Sequence, residues 1–174
     1  PDWASLSRAA MVGRPVDRVG DDFTVPKARP KEGDGMADYA GDLSPRESWR
    51  LLGEDPRAVL IDVRTQPEWA FVGLPDLGSL GKNILPLSWQ VFPAMTVNPD
   101  FVGALRAAGL TEDQPLLFLC RSGVRSAHAA MAATAAGFDQ AFNVAEGFEG
   151  GVDGAGHRGT VDGWKVAGLP WRQS

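Results

Sequence analysis

The sequence predicts an α/β fold, a parallel sheet of about five strands with helices on both faces. Three observations predict it. The apolar stretches at 58–63, 115–119 and 141–144 are continuous rather than alternating, as strands buried on both faces must be. Helical spacing with recognisable caps fills the intervals between them. Strands and helices therefore alternate along the chain, which is the pattern of βαβ units.

Residues 1–41 stand apart as an N-terminal extension or linker, leaving 42–174 as the folded domain. Pro, Gly and charge dominate from 14 to 41, as in Pro30-Lys31-Glu32-Gly33-Asp34-Gly35, a composition that rarely packs. A short helix at 3–11 would carry a narrow stripe of Trp3, Leu6 and Ala10. Two readings fit: a solvated tail, or an arm that packs on its own domain or on a second subunit, making a homo-oligomer through this segment.

The domain's elements follow in order. Ser44, Pro45 and Glu47 are an N-cap, an N1 proline and the far side of a capping box. The helix they open carries Trp49, Leu51 and Leu52 and stops at Gly53. The strand at 58–63 has a carboxylate, Asp62, near its end. Thr65-Gln66-Pro67-Glu68-Trp69 starts a short helix, 73–81 is irregular, and 84–87 is a short strand. Asn98-Pro99 caps a helix through Ala108, ended by Gly109. The strand at 115–119 leads through a loop into an alanine-rich helix at 123–136, with Gly137 as its C′ residue. On that helix Val124, Ala127, Met131, Ala135 and Phe138 form the stripe expected to lie on the sheet. In parallel sheets ligands sit beyond the carboxyl ends of the strands, where both Asp62 and Cys120 fall.

Composition narrows the function. The chain has 174 residues, 44% hydrophobic and 22% charged, enough for one globular core. No apolar run reaches the roughly 18 residues of a membrane span, and no secretory signal is visible. The net charge of −5 argues against nucleic-acid or membrane partners. A single cysteine excludes an intrachain disulfide, a Cys-rich zinc site and an internal dithiol pair, and two histidines offer little to a metal. No cofactor is expected, and a lone thiol suits a cytoplasmic protein.

That cysteine ends an apolar run and opens the loop Cys120-Arg121-Ser122-Gly123-Val124-Arg125-Ser126. A helix N-terminus, free backbone N–H groups and two guanidinium groups all favour a thiolate there, which makes Cys120 a candidate nucleophile. Residues 122–126 are candidate anion-binding residues, and Gly123 allows close backbone approach. The two arginines on an acidic chain point to a small anionic ligand. Phosphotyrosine-type phosphatases place five residues between such a Cys and Arg. Here four intervene, and the smaller ring of donors suits a terminal sulfur better than a phosphate.

This loop resembles the active-site loop of the rhodanese sulfurtransferases. Ile61-Asp62-Val63-Arg64 with Glu68-Trp69 resembles the family's Asp-Val-Arg segment and acid–aromatic pair. The segment Asn143-Val144-Ala145-Glu146-Gly147-Phe148-Glu149-Gly150 resembles the stretch after the helix. The Gly-rich tail resembles the ending of some single-domain bacterial members. Val72-Gly73-Leu74-Pro75 departs from the family's Gly-His-Ile in one wall of the pocket. The resemblance implies a rhodanese-like fold and a ping-pong thiosulfate sulfurtransferase. Cys120 would take a sulfane sulfur from thiosulfate or a persulfide donor and pass it to cyanide or a thiol. A Cys-dependent phosphatase or arsenate reductase and a non-catalytic rhodanese-like binding module are the alternatives.

Among the remaining residues, Arg121 is expected to face the donor, and Arg125 either to do so or to bond below the loop. Arg64 either lines the site or pairs with an acid, and Asp62 is a structural carboxylate. His128 points away along its helix. His157 would reach the pocket only if the tail folded back. Of the six tryptophans, Trp89, Trp164 and Trp171 are those to watch for pocket contact.

Overall fold

In a computed structural model that describes residues 39–173, the chain alternates strand and helix as expected. In chain order the elements are β1 (Gly41–Leu43), α1 (Pro45–Glu54), β2 (Val59–Asp62), α2 (Gln66–Phe71), β3 (Leu74–Pro75) and a 3-10 turn (Gly78–Leu80). There follow β4 (Leu85–Pro86), β5 (Gln90–Val91), β6 (Thr96–Val97), α3 (Phe101–Ala107), β7 (Leu116–Leu119), α4 (Val124–Ala135), β8 (Ala141–Val144) and β9 (Trp171–Arg172). The main sheet has the order β1-β8-β7-β2-β4, and every neighbouring pair in it is parallel. Two small antiparallel pairs, β3–β9 and β5–β6, lie outside it. The extension expected at 1–41, its helix at 3–11 and its part in an oligomer lie outside the described residues, apart from its last three positions.

Strand alternation sorts the core into two layers. Leu60, Leu117, Leu119, Phe142 and Val144 face α1, with Leu51, Leu52, Phe148 and Trp164 packed among them. Ile61, Leu116, Phe118 and Cys120 face α3 and α4, through Phe101, Leu105, Ala129, Ala130 and Ala133. The sheet is thus covered on both sides, as its continuous apolar strands require. Among the described residues no helix is long and apolar enough to cross a membrane.

Local chemistry explains the helix ends. Ser44 Oγ accepts the Glu47 N–H at 3.3 Å and Glu47 Oε2 accepts the Ser44 N–H at 2.8 Å, completing the expected capping box. The helix runs one residue past Gly53, to Glu54. Asn98 does not cap α3: its Oδ1 accepts the Asp100 N–H and its Nδ2 donates to Ser88 O, building the preceding turn. Asp100 occupies the N-cap position instead. The stripe expected on α4 is also corrected. Val124 is 65% exposed, and the buried positions are Ser126, Ala129, Ala130 and Ala133. Small side chains face the sheet because they let the helix axis approach it. Phe138, just beyond the helix, is buried as expected.

The carboxyl end of β2 is locked by a buried ion pair. Asp62 and Arg64 are both fully buried, with Arg64 Nη2 2.6 Å from Asp62 Oδ2 and Nε 2.9 Å from Oδ1. Arg64 Nη2 also donates to Gly73 O at 2.8 Å, and its guanidinium lies 4.2 Å over the Phe148 ring. One side chain thereby joins the strand end, the wall entering β3 and the turn after β8. Removing it would strand a carboxylate in the core, which costs about 3–5 kcal/mol. Arg64→Met should lower stability by that order in urea unfolding.

Candidate active site

The loop between β7 and α4 is held from below by backbone. Phe148 N–H donates to Cys120 O at 2.8 Å, and Glu149 and Gly150 N–H groups both donate to Arg121 O, at 2.9 and 3.1 Å. The two segments lie so close that glycine is required twice. A Cβ at Gly147 (φ +66°) would fall 2.6 Å from Cys120 O and from Ser122 N. One at Gly123 (φ +95°) would collide with Ala145 O. Gly123 is the residue before α4, and its left-handed backbone turns the chain from strand direction into helix.

This turn aims donors at the sulfur. Gly123 N–H and the Ser126 hydroxyl each donate to Cys120 Sγ at 3.1 Å. The expected ring of amides from 122 to 126 therefore resolves, at the bare thiol, into one amide and one buried hydroxyl from the first turn of the 12-residue α4. Cys120 is only 1% exposed. One side of it belongs to the apolar layer under α4, and the other forms part of a cavity of about 700 Å³.

The cavity wall differs from the sequence expectation in several places. Arg121, Ser122, Val124 and Arg125 border it as expected. Arg64 does not: it is buried behind the loop with Asp62, which confirms a structural role for that carboxylate. Ser126 lies beneath the sulfur rather than in the wall. None of Trp89, Trp164 or Trp171 borders the cavity. Trp164 is fully buried against Trp49, Trp89 stacks edge-on with Phe101, and Trp171 packs on Phe148. The tail does fold back, yet it delivers Arg158 to the cavity and leaves His157 exposed. Arg158 is placed by its own Nη1–H donating to Gly150 O and by Gly159 N–H donating to Glu149 O. Asp153, accepting from Ala155 N–H, His157 N–H and Thr160 Oγ, closes the turn that carries it.

The charges are not equivalent. Arg125 is committed to Glu68 through two parallel bonds, Nη2 to Oε1 at 2.6 Å and Nη1 to Oε2 at 2.9 Å. Glu68 also accepts the Thr65 N–H and hydroxyl. Burial alone would push this carboxyl up, but the bonds from Arg125 and Thr65 prevail and hold it at about 2. Among the described residues no carboxylate pairs with Arg121. The uncommitted positive charge at the mouth therefore comes from Arg121 and Arg158. The cavity is completed by residues the sequence did not single out as site residues: Thr65, Pro67, Gln90, Phe92 and Met95. The last three belong to a hairpin made of two-residue strands, too short for periodicity to reveal.

Because Glu68 titrates below its ordinary 4.5, its pair contributes stability that is present above pH 4.5 and is lost as pH falls towards 2. Glu68→Gln should therefore cost about 2 kcal/mol at neutral pH and flatten the loss of stability between pH 4.5 and 2, as read from urea midpoints across that range.

The chain is 35% identical over 127 residues to an uncharacterised protein of Rickettsia conorii, covering 72% of this chain and 92% of that one. It is 48% identical to Rv0390 from M. tuberculosis, whose crystal structure superposes with a TM-score of 0.71 over 78% of this chain and 99% of that one. A polysulfide-sulfur transferase homodimer from Wolinella succinogenes is 27% identical, with a TM-score of 0.54 over 76% and 78% of the two chains. The family model for the rhodanese-like domain matches residues 44–153, and with the parallel sheet and the loop at Cys120 in place, the chain belongs to the rhodanese-like domain family.

Proposed function

We propose that the protein is a sulfurtransferase that carries a sulfane sulfur on Cys120. The observation that carries this reading is the sulfur itself, at the floor of an open cavity with an amide and a hydroxyl aimed at it. Both donors and the N-terminus of α4 are placed to meet negative charge as it passes to or from sulfur during a transfer. The similarity to a polysulfide-sulfur transferase supports the same chemistry. A lone reactive thiol also fits a reducing, cytoplasmic setting.

In the first half-reaction, Cys120 thiolate attacks the outer sulfur of a donor such as thiosulfate. A new S–S bond forms, the S–S bond of thiosulfate breaks, and sulfite leaves with the electron pair. The persulfide is a covalent intermediate that divides the transfer into two displacements. Its outer sulfur extends about 2 Å beyond Sγ, towards the cavity mouth. In the second half-reaction an acceptor thiolate or cyanide attacks that outer sulfur, and Cys120 departs as thiolate. Arg121 and Arg158 draw in and orient the donor's negative charge. Arg125, neutralised by Glu68, braces α4 against α2. Phosphoryl transfer fits less well, because the loop is one residue shorter than phosphate wrapping requires and one of its arginines is already paired.

Intact mass after incubation with thiosulfate tests the reading. The native chain should gain one sulfur atom and Cys120→Ser none. Equal labelling of both chains, or of neither, refutes the assignment.

The division of labour among the arginines is testable by kinetics. Arg158→Ala should raise KM for thiosulfate about tenfold, the loss expected for one charge-assisted contact, and leave cyanide-dependent turnover at saturating donor little changed. The rise should be smaller with methanethiosulfonate, which carries one negative charge.

A further inference from the structure

The cavity over Cys120 is larger than a small inorganic donor needs. At about 700 Å³ it falls in the roughly 300–1,000 Å³ range that takes a drug-sized ligand. Beside it lies a second groove of about 520 Å³, and the two share Pro67 and Phe92 in their walls. The second groove carries no charged side chain. Trp69, Phe71, Val91 and Phe92 are the large apolar side chains in its wall. Five large apolar side chains that the chain leaves in solvent border the two depressions: Phe71 at 77% exposure, Val124 at 65%, Phe92 at 58%, Val91 at 45% and Met95 at 40%. Exposed apolar side chains grouped in this way mark an interaction surface. At the Cys120 end the chemistry changes, with three arginines against one carboxylate.

We infer that this surface receives a protein substrate of the transfer, a segment presenting a cysteine with apolar side chains on one flank and carboxylates close to the thiol. The inference rests on the sulfurtransferase reading. The occupant's chemistry follows from continuity and charge. An occupant of the groove reaches the Cys120 cavity at one end, where the second half-reaction gives a cysteine thiolate its place. Arg121 and Arg158 complement acidic groups beside that nucleophile. A small thiol would fill the Cys120 cavity and leave the adjoining groove empty, whereas a chain segment spans both. A second copy of this protein does not qualify as the thiol carrier. Its only cysteine is Cys120, which at 1% exposure cannot project into another molecule. In the transfer, the partner's thiolate attacks the outer sulfur of the Cys120 persulfide. The partner's S–S bond forms, the Cys120 S–S bond breaks, and Cys120 regains its thiolate, so the partner becomes the persulfide with no net oxidation.

The experiment charges the full chain with thiosulfate, confirms the added sulfur by mass, and then measures transfer to synthetic cysteine peptides. One peptide carries leucines on one flank of the cysteine and glutamates on the other. A second replaces the leucines by serine, and a third replaces the glutamates by lysine. Transfer to the first should be at least tenfold faster in kcat/KM than to either of the others or to free cysteine. Phe71→Ser combined with Val91→Thr alters only exposed side chains of the adjoining groove. It should erase the advantage of leucine while leaving charging and transfer to cyanide unchanged. Equal rates with all three peptides, or a variant that keeps the full preference for leucine, overturns the inference while the sulfurtransferase reading stands. A native chain that takes up no sulfur overturns both.

Discussion

Backbone pressed directly against backbone, between the Cys120 loop and the turn that follows β8, is the constraint on which the site depends. Three N–H groups from 148–150 hold the carbonyls of Cys120 and Arg121, so those carbonyls face down and the amide of Gly123 is left to face the sulfur. An amide that is free of intraprotein carbonyls and fixed in direction can stabilise charge on sulfur without reorganising. The closeness has a steric condition: neither Gly147 nor Gly123 has room for a Cβ. Glycine at 123 and at 147 follows from this contact.

The same contact links the site to the core. Phe148, whose N–H holds Cys120 O, lays its ring against the Arg64 guanidinium, and Arg64 is fixed by Asp62 at the end of the neighbouring strand. Parallel register sets Asp62 beside Leu119, the residue before the cysteine. A buried ion pair gives little net stability by itself. Its consequence here is geometric, since it ties the end of β2 to Gly73 and to the ring of Phe148 in the turn after β8. The second ion pair, Arg125 with Glu68, acts on the other side of the sulfur by bracing α4 against α2. Each pair occupies an arginine, Arg64 after β2 and Arg125 in the loop, for which the sequence leaves open a part in holding the ligand. Among the described residues of the cavity wall, Arg121, inside the loop, and Arg158, outside it, are the arginines that no carboxylate pairs with.

What was legible in the sequence was whatever local physics decides. The continuous apolar strands, the capping box at Ser44 and Glu47, and the loop from Cys120 to Ser126 depend on neighbours in the chain, and each lies where it was expected. What was hidden depends on tertiary contact. β1 begins at Gly41, inside the segment read as linker, because a three-residue strand with one large apolar side chain has no period, and only pairing with β8 defines it. The α4 stripe was misplaced because apolarity favours Val124 and Met131, whereas the sheet selects the smallest side chains. Arg158 carries no local mark at all. Its position follows from burial of Trp164, which draws the tail back over the domain, and from the turn around Asp153.

Burial of the only thiol and access to it are reconciled by shape. A sulfur at the floor of a cavity is shielded from a second copy of itself, so two chains cannot join through a disulfide without unfolding the loop. A persulfide placed there is likewise shielded from flat protein surfaces. Only a ligand small enough to enter, or a side chain that projects, reaches the outer sulfur. In the proposed transfer, this shape would separate the two partners by size. On that proposal a donor's charge would meet guanidinium groups at the mouth, and a larger acceptor would rest on the surroundings, where Phe71, Val91 and Phe92 are exposed. Under the proposed transfer the loop would set the chemistry and the rim the partner, because the two are built from different residues.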